Sequence, residues 1–227
     1  MRHEVTTRRL LYEIPGMAAI QGVDGEFPGA DGVGLPMRAY APPSPSDRPA
    51  AVVIVEGYPD AAFAERLGCR FMDMEWSISL AQLIAASGMT AITHSNRTPA
   101  ADAIALIHHL ASQGFRLAVW ATSGHAPVAM AAMEHTMCGV LTNPIVGDTM
   151  GTKPLYLVRS GHDETPGLNA ALDRFVGDAI AANRSLTLVN HPEAPHSFEL
   201  NHDSDLTRLV LRQALAFLHF HLGVEMH

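Results

Sequence analysis

"RLAVWATSGHAPVAMAAM", residues 116–133, begins as an apolar strand and ends as an alanine-rich helix. The turn between them holds Thr122, Ser123, Gly124 and His125. A serine at such a turn has two uses. It can cap the following helix by accepting a hydrogen bond from a free backbone N–H, or it can be a nucleophile held clear of the backbone on a sharp bend. The local pattern leaves both open. Thr122 fits the second use less well, because Trp120 would fill the position before it where a tight crossing needs a small residue. For Ser123 that position is Ala121. His125 stands where a second small residue is expected, with Gly124 and Ala126 on either side to supply room.

Working outward, the chain after residue 50 alternates short apolar runs with helical ones. "AAVVIVEG", "MTAITHS", "CGVLTNP", "PLYLVRSG" and "LTLVNHP" read as strands. "EWSISLAQLIAASG", "PAADAIALIHHLASQG", "APVAMAAMEH", "PGLNAALDRFVGDAIAAN" and "SDLTRLVLRQALAFLHFHL" read as helices, two of them ending at Gly88 and Gly114. Such alternation implies a mostly parallel central sheet with helices on both faces. The first forty residues read as β structure: "EVTTRRLLYEI" alternates imperfectly, "EFPGADGVGL" is rich in turn formers and "PMRAYAP" is extended. These strands are expected to make an antiparallel edge. "PPSPSDRPA" is a rigid proline-rich connection, and "AAFAERLGCRFMDM" a loop or short helix over the sheet.

At 227 residues and 48% hydrophobic, residues 1–227 are expected to form one domain. The formal charge of -8, with no basic block, argues against nucleic-acid partners. No stretch approaches the roughly 18 apolar residues of a membrane span, and the N-terminal "MRHEVTTRRLLYEIPG" lacks the apolar core of a signal peptide. Two cysteines, Cys69 and Cys138, suit a reducing compartment, so a cytoplasmic location is expected. The sequence leaves open a homodimer as well as a monomer.

In open α/β sheets, ligand chemistry collects beyond the carboxyl ends of the strands. The polar residues there are Glu56, Gly57, Tyr58 and Asp60; Ser95 and Asn96; Ser123; His162, Asp163 and Glu164; and His191 with His196. A serine, an acid and a histidine thus fall at strand ends in the order Ser, Asp, His, which is the order of the α/β-hydrolase fold. Serine is a poor nucleophile until histidine accepts its proton, and an acid must hold that histidine in the right tautomer. The bend also aims the N–H groups at the start of the next helix toward a developing oxyanion.

Other readings stand beside this one. His191 follows its strand more directly than His196 but sits in a His-Pro turn, and His202 reads as a surface residue. Glu164 competes with Asp163. Trp76, Met72 and Met74 fit either an acyl pocket or the core. His108 and His109 lie mid-helix and read as structural or exposed. No His/Cys cluster has metal-ligand spacing, so no metal and no cofactor is expected.

With these positions aligned, the sequence resembles the dienelactone-hydrolase-like branch of the α/β-hydrolases over nearly its whole length. "VVIVEGYPD", "VWATSGHAPVAM", "YLVRSGHDETPGLNAALDRFV" and "HPEAPHSFELNHD" carry the likeness, and "DGVGLPMRAYAP" resembles the hairpin that opens many esterase and peptidase domains. The resemblance implies Ser123 as nucleophile, Asp163 as acid and His196, in "APHSF", as base. It implies an oxyanion hole from the N–H of Gly124 and one from Gly57 or Tyr58. Dienelactone hydrolases proper carry cysteine at the bend, where this chain has Ser123. Glu56 falls where the family's glutamate faces that cysteine, and it and His125 are candidate substrate contacts. No inserted cap domain is visible, so loops after residues 57, 95 and 143 are expected to shape the pocket. The implied activity is hydrolysis of a small ester, lactone or thioester. The alternative, motivated by His125, is a non-hydrolytic protein of this fold: an isomerase, a cyclase or a ligand-binding module.

Overall fold

The computed structural model describes residues 2–44, 48–147, 150–225. Eight strands form one sheet: β1 (Gly22–Pro28), β2 (Gly34–Tyr40), β3 (Ala50–Ile54), β4 (Thr90–His94), β5 (Arg116–Thr122), β6 (Cys138–Thr142), β7 (Leu155–His162) and β8 (Leu186–Pro195), in the order β1-β2-β4-β3-β5-β6-β7-β8. β1 and β2 make an antiparallel hairpin with Gly22 opposite Tyr40 and Pro28 opposite Gly34. β2 joins β4 antiparallel, and every later pairing is parallel.

The central strands are buried on both faces, and their side chains divide by parity. Val52, Ile54, Ala118 and Trp120 point into one core, with Trp76, Leu80 and Leu83 of α2 (Glu75–Ala86) and Val210, Leu211 and Leu218 of α7 (Asp205–Leu222). Ala51, Val53, Leu117, Val119 and Ala121 point into the other. That core takes Leu106 and Leu110 of α3 (Pro99–Ser112), Ala129 and Met133 of α4 (Ala126–Met133), and Leu172 and Phe175 of α5 (Leu168–Ala181). Fully burying each Val or Ile side chain contributes about 1.5–3 kcal/mol. No helix of the described residues is long and apolar enough to cross a membrane.

One expectation fails. Residues 4–14 do not form a strand: Glu4–Thr7 is a 3-10 turn, and the segment lies across α2. The reason is local. The Thr6 and Thr7 hydroxyls donate to the carbonyls of His3 and Glu4, which closes the backbone into a turn. Beyond it, Leu10 N–H donates to Ser79 Oγ at 3.0 Å, and Arg9 reaches Glu75 and Gln82. The antiparallel edge is the β1–β2 hairpin alone. The stretch 61–74 holds α1 (Asp60–Leu67) and a 3-10 turn, Phe71–Asp73. Residues 45–47 of the proline-rich connection lie outside the described residues.

The parallel strands all deliver their carboxyl ends to one rim. It receives Glu56, Gly57 and Tyr58 after β3, Ser95 and Asn96 after β4, Ser123 after β5, and Asn143 after β6. Asp163 follows β7, and His196 follows β8.

Candidate active site

At the end of β5 the backbone is extended at Thr122, with φ -130, and then turns left-handed at Ser123, with φ 50. A non-glycine residue there costs on the order of 1–3 kcal/mol. Four described non-glycine residues have positive φ, and three of them, Ser123, Asn143 and Ser197, stand at this rim. The bend lets a buried strand run straight into α4. It also leaves the Ser123 side chain uncommitted as a helix cap, since neither the 3-10 turn Ser123–His125 nor α4 has a side-chain cap bond. The Ser123 carbonyl accepts from Ile145 N–H at 3.0 Å, pinning the bend to the segment after β6.

Ser123 Oγ lies 2.8 Å from His196 Nε2, and His196 Nδ1 lies 2.6 Å from Asp163 Oδ2. The Asp163 side chain has no solvent exposure, whereas that of His196 retains 30%. Burial pushes the Asp163 carboxyl up, but the hydrogen bonds from His196 and the Thr165 N–H outweigh it and hold the group below its usual range. An ionised Asp163 accepts Nδ1–H, which leaves Nε2 bare to accept the Ser123 hydroxyl proton.

The histidines and acid that competed in the sequence go elsewhere. His191 is buried against Thr207 Oγ1 at 3.1 Å, with its ring edge-on to His202 at 5.2 Å between centroids. Glu164 is exposed. Trp76, Met72 and Met74 are core residues. His108 pairs with His135 on the surface at 3.2 Å. Both cysteines are free and buried.

Gly57 departs from expectation. Its N–H donates to His125 Nδ1 at 2.8 Å, so it is not free to meet an oxyanion. A Cβ at Gly57 would come 2.6 Å from His125 Cα and 2.9 Å from Gly124 O. Glycine is therefore needed for the loop after β3 to lie this close to the bend. His125 is itself buried, with its ring 4.5 Å from Phe71 and edge-on to Tyr58 at 5.3 Å. Burial pushes its imidazole down to about 4, so the ring is neutral and Nδ1 can accept. His125 is thus a brace between bend and loop rather than an open substrate contact. The Tyr58 hydroxyl lies over Gly124, where a Cβ would displace it.

Glu56 is fully buried, and its carboxyl faces that of Asp60 within hydrogen-bonding reach. Burial, and then the neighbouring Asp60 carboxyl, push it up to about 10, which keeps it protonated at neutral pH. It makes no hydrogen bond to Ser123. Among the described residues, no group of three or more His, Cys, Asp or Glu is placed to hold a metal ion.

Beneath the bend lies a polar layer that sequence reading missed. Glu199 Oε1 is within 3.4 Å of Thr122 Oγ1 and 3.3 Å of Thr142 Oγ1. Asn143 Nδ2 donates to Thr122 Oγ1 at 3.2 Å, and Ser160 Oγ donates to Asn143 Oδ1. A glutamate in the first turn of a short helix reads as a surface residue answering the helix dipole. Nothing in "SFELN" signals that this one is buried.

Neither a family model nor a curated protein matches the sequence. Solved structures do match the architecture. Brefeldin A esterase, a bacterial homologue of human hormone sensitive lipase, aligns at a TM-score of 0.74 and 11% identity, over 97% of this chain and 82% of that one. The fold is that of the α/β-hydrolases. A thermophilic esterase from the Planctomycetes species Thermogutta terrifontis aligns at 0.67 and 18% identity over 98% of both chains. Bacterial heroin esterase aligns at 0.68 and 14% identity, over 91% of this chain and 86% of its own. In this α/β-hydrolase fold the described residues contain no inserted cap domain between strands.

Proposed function

We propose that the protein is a serine hydrolase acting on small esters, lactones or thioesters, and that Ser123, His196 and Asp163 are its catalytic residues. The observation that carries this reading is the continuous relay from Ser123 Oγ to Asp163 Oδ2, on a bend held at positive φ. Ser123 Oγ attacks the substrate carbonyl carbon while His196 Nε2 takes its proton. Asp163 stabilises the imidazolium that forms. The carbonyl oxygen becomes an oxyanion, held by the N–H groups of Gly124 and Tyr58. Collapse breaks the bond to the alkoxide or thiolate leaving group, which takes the proton from His196. Water then gives its proton to His196, attacks the acyl-enzyme and releases the acid, restoring Ser123. Each oxyanion donor is expected to supply about 10²–10³-fold in rate.

Within the fold we place the chain in the dienelactone-hydrolase-like branch, on the four segments of likeness, with serine in place of cysteine. The two buried free thiols fit a cytoplasmic location. The alternative is a non-hydrolytic protein of this fold; the bond of His125 to Gly57, which gives that residue a bracing role, favours the hydrolytic reading over it. A panel of nitrophenyl esters of increasing acyl length tests the proposal. Ser123→Ala must abolish turnover of every ester the wild type cleaves, and full activity in that variant overturns it.

A further inference from the structure

Glu199 lies three residues beyond His196, and the backbone between them is unusual. Ser197 adopts φ 55 and ψ 43, reversing the chain just after the base. α6 (Phe198–Asn201) follows directly, with Asn201 Nδ2 donating to the His196 carbonyl at 3.2 Å. The reversal sends His196 up toward Ser123 and Glu199 down to the sheet. There Glu199 is 2% exposed, between the Thr hydroxyls that end β5 and β6. Its own carbonyl accepts Leu11 N–H at 3.0 Å. Thr122 immediately precedes the nucleophile. Asn143 continues the layer to Ser160, three residues before Asp163.

Resting on the proposed hydrolase reading, we infer that Glu199 is a positioning residue: it fastens the loop that carries His196 to the strand ends that carry Ser123. Both threonine hydroxyls donate to its Oε1, and burial pushes the carboxyl above its usual range. A glutamine has the same shape and places an acceptor oxygen at the same position. The role rests on those two hydrogen bonds.

The test is made on the full chain with one ester that the wild type cleaves. Glu199→Ala is expected to lower kcat by about 10²-fold, the size that a ~1 Å misplacement costs, while KM stays within about twofold. Glu199→Gln is expected to keep kcat within about threefold, because the hydrogen bonds survive. Wild-type kcat in Glu199→Ala, an equal loss in both variants, or a loss confined to KM each overturns the inference. Should Glu199→Ala not fold, Thr142→Val removes one partner at constant shape and must lower kcat without raising KM. A wild type that cleaves no ester and takes no fluorophosphonate on Ser123 defeats the functional reading itself, and the inference with it.

Discussion

The Gly57 N–H donates to His125 Nδ1 across 2.8 Å, joining the loop after β3 to the bend after β5. These two segments would supply the oxyanion donors, so their separation must be fixed before any substrate arrives. Preorganisation of this kind is worth more than donors that reorient during reaction. The residue that departs most from a small-residue bend is thus the one that sets the spacing.

The first prediction concerns that brace. His125→Leu removes the acceptor of the part-buried Gly57 N–H, costing about 1 kcal/mol of stability. His125→Asn returns an acceptor oxygen near the Nδ1 position and is expected to recover part of that loss. Urea unfolding at neutral pH ranks the three proteins. Equal stability of His125→Leu and wild type contradicts the brace.

The same ring gives a pH dependence. Its folded pKa of about 4 lies below the ordinary 6.5, so the unfolded chain binds the proton more tightly. The contribution of neutral His125 is therefore complete above about 6.5 and lost as pH falls toward 4, by about 3 kcal/mol in all. Unfolding free energy is expected to drop over that window in the wild type, and by less in His125→Asn.

Glu56 runs the other way. A carboxyl held at about 10 when folded ionises near its ordinary 4.5 when unfolded, so it destabilises the fold increasingly as pH rises between those values. Glu56→Gln is expected to match the wild type near pH 4 and to melt higher at pH 8. If the two melt alike at pH 8, Glu56 is not held as the neutral acid.

Gly124 supplies a steric test. Gly124→Ala drives a Cβ into the hydroxyl of the exposed Tyr58, which must swing aside, and is expected to lower kcat by less than about tenfold. Tyr58→Phe removes the obstructing oxygen, so the double variant is expected to recover activity relative to Gly124→Ala. No recovery would place the collision elsewhere.

Much of this architecture is legible in the sequence after residue 50, where strands buried on both faces read as unbroken apolar runs and helices close at Gly88 and Gly114. The places of Ser123, Asp163 and His196 at strand ends follow from the same pattern. Residues 4–14 mislead because Thr6 and Thr7, good strand formers by propensity, instead bond their own backbone. The choice between Gly57 and Tyr58 is not readable, since it turns on which N–H a buried imidazole takes. Glu199 is invisible for a similar reason: its burial depends on Ser197 adopting a left-handed conformation that no residue type there demands.

The most direct measurement is fluorophosphonate labelling of the native and heat-denatured protein, with the modified peptide mapped by mass. Phosphonylation of Ser123 is expected in the native chain only, and is lost in His196→Ala, because the hydroxyl reacts only while Nε2 takes its proton. Absence of labelling in a folded wild type, or labelling that persists undiminished without His196, rules out the relay.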